Sequence, residues 1–145
     1  MAKIEVKLVQ VEYGFVASDE SGKSIQMDNS EEGGGKGFGV RPMQNLLMAL
    51  GGCSGIDIVS ILKKQRQAMA GLEIHIEGER EKGKTPALWE TVHMKFIIKG
   101  DVSQEKAEMA ARLSVDKYCS VAETLRRAGC DISWEVAVIA GETKA

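Results

Sequence analysis

Apolar and polar residues alternate at the start of the chain, where Ile4, Val6 and Leu8 are separated by Glu5 and Lys7. A period of two predicts a strand with one buried face over residues 3–10. Gly14 marks a turn, and the runs "FVAS" and "SIQMD" read as two short strands around the turn signal "DESGK". The glycine-rich run "NSEEGGGKGFG" then predicts a flexible loop. Beyond it the pattern changes. From Met43 to Leu62 nearly every helical face is apolar, and Pro42 suits a first turn, so one long helix is expected from about Pro42 to Gln67, with Gly71 as its stop. Ile74 and Ile76, and then Val92, Met94, Phe96 and Ile98, each share one face of a strand. "SQEKAEMAARLSVDKY", capped by Ser103, reads as a helix. "CSVAETLRRAG" reads as a second, opening on the capping-box residues Ser120 and Glu123 and closed by Gly129. Ile132, Trp134, Val136 and Val138 alternate in a last strand. The order β-β-β-α-β-β-α-α-β is α+β, with no repeat or linker to divide a single domain over residues 1–145.

The long helix raises two questions. A helix apolar all round must be buried all round. A chain of 145 residues cannot easily wrap one helix by itself, so a second subunit is expected to cover part of it. Its middle also reads "GGCSG", three glycines around Cys53. Each glycine costs a helix interior roughly 1 kcal/mol relative to alanine, so something is gained at that point. Small residues there allow another backbone to come close.

Charge and composition narrow the functions. A formal net charge of −2 lacks the basic surplus that phosphate binding needs, which argues against a nucleic-acid partner. The span from Met43 to Leu62 holds one formal charge, Asp57. That residue would cost about 2.5–3.5 kcal/mol at a bilayer centre, so no membrane span is expected. The start "MAKIEVKLVQ" has no apolar signal core, and a cytoplasmic protein is expected. Cys53, Cys119 and Cys130 are odd in number and widely spaced, which fits neither a secreted disulfide framework nor a zinc pattern, which needs close pairs such as CxxC. Neither a metal nor a cofactor is expected.

Two glycine motifs fail on inspection. "GGGKGFG" lacks the Ser or Thr that must follow the P-loop lysine, because Lys36 precedes Gly37. "GGCSG" matches a nucleophile elbow with cysteine as nucleophile, but it follows helical rather than strand residues. The only histidines, His75 and His93, sit mid-strand among charged neighbours, as exposed strand residues do.

A redox pair remains. If the element that approaches Cys53 carried a second cysteine, the two could form a reversible disulfide, which needs α carbons within about 7 Å. Cys119 precedes a helix start, where positive potential is expected to lower a thiol pKa. Two unrelated core cysteines are the alternative.

"RPMQNLLMALGGCSGIDIVSILKK" and "VDKYCSVAETL" resemble the two cysteine motifs of the OsmC/Ohr family, thiol-dependent peroxidases of organic hydroperoxides. The order of elements is similar over essentially the whole chain. The resemblance implies a long buried central helix against antiparallel sheets, in an intertwined homodimer with sites formed between subunits. It implies attack on an organic hydroperoxide by Cys53, resolution by Cys119, and reduction by a dithiol resembling dihydrolipoamide, with no metal or prosthetic group. Cys130 has no role in that scheme and is assigned to packing.

The family's activating glutamate follows the proline that opens the helix, and here those positions read Met43 and Gln44. Arg41 is the only arginine before Cys53 and is the candidate for the family's arginine. Twelve residues of straight helix separate it from Cys53, about 18 Å, so it would act through a folded-back entry or on the partner's site. Arg126 and Arg127 are the alternative cations. Asp57 shares a helix face with Cys53 and is expected to bond to backbone or to a partner chain. Met48, Leu50 and Ile56 favour an apolar peroxide. A non-catalytic protein that binds a small apolar or thiol-reactive ligand, or a redox sensor, is the alternative function.

Overall fold

The computed structural model describes residues 1–140, and the chain forms two compact units, Met1–Leu46 and a second that begins at Leu47. In the first, β1 (Glu5–Gln10), β2 (Gly14–Ser18) and β3 (Ser24–Met27) make an antiparallel sheet in the order β1-β2-β3. Asp19 builds the β2–β3 turn. Its Oδ1 accepts from the Ser21 and Lys23 amides at 2.9 Å, and Gly22 adopts φ +86°. The alternating apolar residues of β1 are not buried within the chain: Val6 and Leu8 are each 52% exposed.

The glycine-rich segment is not an open loop. Asp28, buried, accepts from the amides of Asn29, Lys36 and Phe38 at 2.7, 2.9 and 3.0 Å, folding residues 29–38 back onto one carboxylate. Gly35 and Gly39 permit this close return. A Cβ on Gly35 would stand 2.0 Å from the Asn29 carbonyl oxygen, and one on Gly39 would stand 2.2 Å from the Gln26 backbone. The amide bonds, those from Phe38 and Lys36 foremost, hold the Asp28 carboxyl below its ordinary 3.8. A carboxyl depressed in the folded state stabilises above its unfolded pKa, and that contribution is lost as pH falls through the folded value. Acidification below about 4 should therefore open residues 29–38. Their amide hydrogen exchange, corrected for intrinsic rates, should rise there, and in Asp28→Ala it should already be fast at pH 7.

The long helix α1 (Pro42–Lys64) begins in the first unit and runs into the second. Pro42 stands at its first position, where a missing N–H costs nothing. The helix stops at Lys64, before the expected Gln67. The Gln67 amide bonds the Leu62 carbonyl at 2.9 Å and the Arg66 amide bonds Lys63 at 3.1 Å, with Arg66 at φ 56°. This is a Schellman ending with arginine in the place glycine usually takes. Gly71, expected as the stop, lies inside β4 (Ala68–Arg80) at a bulge.

In the second unit β4 pairs antiparallel with β5 (Trp89–Asp101), and β5 pairs with β6 (Asp131–Ile139) in the order β4-β5-β6. The expectation of antiparallel sheets holds for the first sheet and for β4–β5. β6 is parallel to β5, because α2 (Gln104–Leu113), a π-helical turn (Ser114–Tyr118) and α3 (Ser120–Arg127) intervene. Such a crossover returns the chain to the starting end. β5 is central, and its Val92, Met94, Phe96 and Ile98 are buried. Leu50, Ser54, Ile58 and Leu62 of α1 and Ala107, Ala110 and Ala111 of α2 are buried as well. His93 lies on the outer face, its Nδ1 2.7 Å from Ser133 Oγ, as expected for an exposed strand histidine.

α1 is long and apolar enough to cross a membrane by length and composition. Its stripe from Leu50 to Leu62 instead belongs to the core cluster of the second unit. The other faces are not buried within the chain, with Met48 51%, Ile56 69% and Val59 44% exposed. Leu50, expected beside a substrate, is a core residue.

The three helical glycines differ in surroundings. A Cβ at Gly51 would lie 3.2 Å from Ile76 Cδ1 and one at Gly55 3.2 Å from Ile74 Cδ1, so both faces sit close against β4. At Gly52 nothing lies within 4 Å. Gly52→Ala should therefore raise stability by about 0.5–1 kcal/mol in urea denaturation, and Gly51→Ala should gain less. A loss for Gly52→Ala would mean that another surface lies against that face.

Candidate thiol site

Cys53 projects from the middle of α1 and is partly buried, and Asp57 follows one turn later. The small residues between and around them serve the approach. Ser54, fully buried, donates its Oγ to the Leu50 carbonyl at 2.8 Å, and its own carbonyl lies 3.3 Å from Ser114 Oγ. The approaching element is the π-helical turn and the residue that ends it, Cys119. The single Ser114 hydroxyl proton is directed to the shorter contact, Asp57 Oδ2 at 2.9 Å. The Cys53 and Cys119 sulfurs and an Asp57 carboxylate oxygen all lie within 4.8 Å of one another, and both cysteines are free thiols. The expected pairing of Cys53 with Cys119 is thus present in space.

Cys119, rather than Ser120, is the N-cap of α3. Its sulfur accepts from the Ala122 amide at 3.4 Å, and the capping box expected at Ser120–Glu123 does not form. Glu123 is occupied elsewhere, with Arg126 Nη1 at 3.2 Å and Arg127 Nε at 3.0 Å. The helix end was expected to lower the Cys119 pKa. Burial outweighs it: the side chain is 2% exposed, and desolvation pushes the thiol from 9.0 up to about 11. The Ala122 amide pulls the other way, and Cys53 beside it adds to the rise. Cys119 is therefore a protonated thiol near neutrality.

Arg126 is a structural cation. It donates Nη2 to the Val115 carbonyl and lies 3.7 Å from Asp116, bracing the π-helical turn that carries Ser114. Arg127 pairs with Glu123 at the surface. Neither bonds Cys53 among the described residues. Arg41 belongs to the first unit, where it lines an open cleft of about 520 Å³ with Glu31, Glu32 and Gln44. Cys130 is buried in the core cluster as expected, and burial raises its thiol pKa. Ser114 carried no signal in the sequence. It falls within a run of helical composition, and nothing in that run marks the change from α to π geometry.

Residues 33–135 match the family of OsmC-like proteins. The protein YhfA of Escherichia coli K12 is 40% identical over 115 residues, 79% of this chain and 82% of that protein. The crystal structure of a hypothetical protein from Aquifex aeolicus VF5 superposes with a TM-score of 0.79 at 33% identity, covering 96% of this chain and 98% of that one. The structure of an organic hydroperoxide resistance protein OsmC from Legionella pneumophila shares the fold at a TM-score of 0.72 and 16% identity, over 95% of this chain and 97% of the other. On the strength of the family match and of the YhfA identity, this chain belongs to the OsmC-like protein family.

Proposed function

We propose that the protein reduces organic hydroperoxides through its two cysteines. The observation that carries this reading is the approach of the Cys53 and Cys119 sulfurs to within 4.8 Å, from opposite elements. Cys53, the more exposed, is the attacking thiol. As thiolate it takes the distal oxygen of the peroxide, the O–O bond breaks, and the alkoxide leaves as alcohol after gaining a proton. Cys53 is then a sulfenic acid. Cys119 sulfur displaces its hydroxyl, which leaves as water with the Cys119 proton, and the disulfide forms. A dithiol of the dihydrolipoamide type returns both cysteines to thiols and is itself oxidised to a disulfide.

The resolving thiol is held protonated by burial, which protects it from direct attack on peroxide and divides the roles. Arg41 is the candidate cation for holding Cys53 as thiolate, contributed from the partner subunit. A homodimer in the cytoplasm completes the reading. The exposed Ile4, Val6 and Leu8 of β1, and Met48, Ile56 and Val59 of α1, supply apolar surface of the kind a second subunit covers. Exposed Met48 and Ile56 also favour an alkyl over a hydrogen peroxide substrate. The test is consumption of cumene hydroperoxide with excess dithiol. Many turnovers per chain are expected, and none above the protein-free rate would overturn the reading.

One observation favours a second reading. Asp57, a carboxylate, stands beside the thiol pair, and neither Met43 nor Gln44 supplies the family's glutamate. A disulfide that forms once and is not turned over would make the protein a redox sensor. Oxidation by one equivalent of peroxide with no further consumption identifies that case.

A further inference from the structure

α1 and the N-cap of α3 bring a mixed donor set to one point. α1 contributes a thiol and a carboxylate one turn apart, Cys53 and Asp57, and Cys119 contributes the second thiol. Their donor atoms lie within 4.8 Å of one another. In a tetrahedral site with Zn–S near 2.3 Å and Zn–O of about 2.0–2.2 Å, neighbouring ligand atoms stand roughly 3.5–3.8 Å apart. The observed bound of 4.8 Å exceeds that spacing by no more than about 1.3 Å. The bond from Ser114 Oγ engages Asp57 Oδ2. It is the kind of outer contact that aims a ligating carboxylate.

Charge points the same way. Among the described residues no ion pair reaches the Asp57 carboxylate, so no side-chain cation neutralises it. Two sulfur donors select a soft or borderline ion over Mg²⁺ or Ca²⁺, which take oxygen. Three protein ligands leave a tetrahedral ion a fourth position, and Cys53, one of the three, is partly exposed. Sequence spacing could not disclose this site, because 62 residues separate Asp57 from Cys119.

We propose that in the reduced protein Cys53, Asp57 and Cys119 bind one thiophilic divalent cation, of which Zn²⁺ is the type, with water in the fourth position. Binding releases the thiol protons to solvent and leaves the oxidation state of the protein unchanged. Metal and a Cys53–Cys119 disulfide exclude one another, so the bound ion shields the pair from oxidation. The proposal rests on the geometry of the reduced thiols and holds whether or not the protein turns over peroxide.

The test is anaerobic titration of the reduced full-length protein with Co²⁺, read by thiolate-to-cobalt charge-transfer absorption, followed by displacement with Zn²⁺. One ion per chain with tetrahedral bands is expected. Asp57→Asn and Cys53→Ser should weaken binding by at least the 10–100-fold that even an outer-shell partner is worth, and Ser114→Ala by about 10-fold. Cys130→Ser should bind as the wild type does. Zinc-loaded protein should also form the disulfide at least about 10-fold more slowly with a disulfide reagent than the metal-free protein. Absence of charge-transfer bands at millimolar Co²⁺ would overturn the proposal. So would an unchanged affinity in folded Cys53→Ser and Asp57→Asn, or a lost one in Cys130→Ser.

Discussion

Cys53→Ser should abolish catalytic consumption of cumene hydroperoxide, lowering it by at least about 1,000-fold toward the protein-free rate, because a nucleophile has no substitute once removed. Cys119→Ser should behave differently. Its Cys53 still meets peroxide, so without reductant one equivalent is consumed and a sulfenic acid accumulates, trapped by dimedone as a mass increase on Cys53 alone. Wild-type protein under the same conditions should give a loss of two hydrogens and no adduct. The asymmetry follows from placement: Cys53 is partly exposed, whereas Cys119 is 2% exposed with its thiol pushed up to about 11. The reverse pattern, with dimedone on Cys119 in Cys53→Ser, would exchange the two roles. Equal loss of the first equivalent in both variants would leave no division of labour to explain.

Phe96→Ala should cost about 3–5 kcal/mol. Phe96 occupies the middle of the central strand, paired with Ile74 on one side and Val136 on the other, and is fully buried. Its ring fills the layer between the sheet and the helices, and that neighbourhood cannot collapse on a void without moving three strands. Against a typical stability of 5–15 kcal/mol such a loss is a large fraction of the whole. The urea midpoint should fall with little change in slope. Lys95→Ala, one residue away on the outer face, should shift stability by less than about 0.5 kcal/mol. A loss below about 1 kcal/mol for Phe96→Ala would mean that the inner face of β5 is not the core.

Periodicity made most of this architecture legible. The apolar residues of β5 predicted its buried face, and Pro42, Ser103 and Gly129 placed helix ends close to where they stand. The errors came where local chemistry departs from the common residue. Arg66 holds the left-handed position that glycine usually fills, so the glycine signal at Gly71 misplaces the stop of α1. The cap of α3 is a sulfur, which no oxygen-based capping rule selects. Cys53 and Cys119 could be named from their surroundings, the glycines and the helix start. The shift of the Cys119 thiol could not, since helix potential acts locally in sequence while burial depends on residues far away. Helical spacing places Asp57 beside Cys53, but its partner Ser114 lies 57 positions away and only the folded chain joins them. The parallel pairing of β6 was equally invisible, because alternation reports a strand and not its direction.

The π-helical turn Ser114–Tyr118 sets the angular phase between Ser114 and Cys119. Residues five apart on an α-helix differ by about 140° around the axis. Under that winding, Ser114 and Cys119 would face nearly opposite sides. The bond from the Cys119 amide to the Ser114 carbonyl, 2.7 Å long, instead closes a ring across five residues, which widens the coil and returns position i+5 toward the azimuth of position i. One hydroxyl and one thiol are thereby aimed at the same helix, at Asp57 and at Cys53. The surplus residue behaves as a phase correction: a chain shortened by one here would keep its helix and lose the convergence.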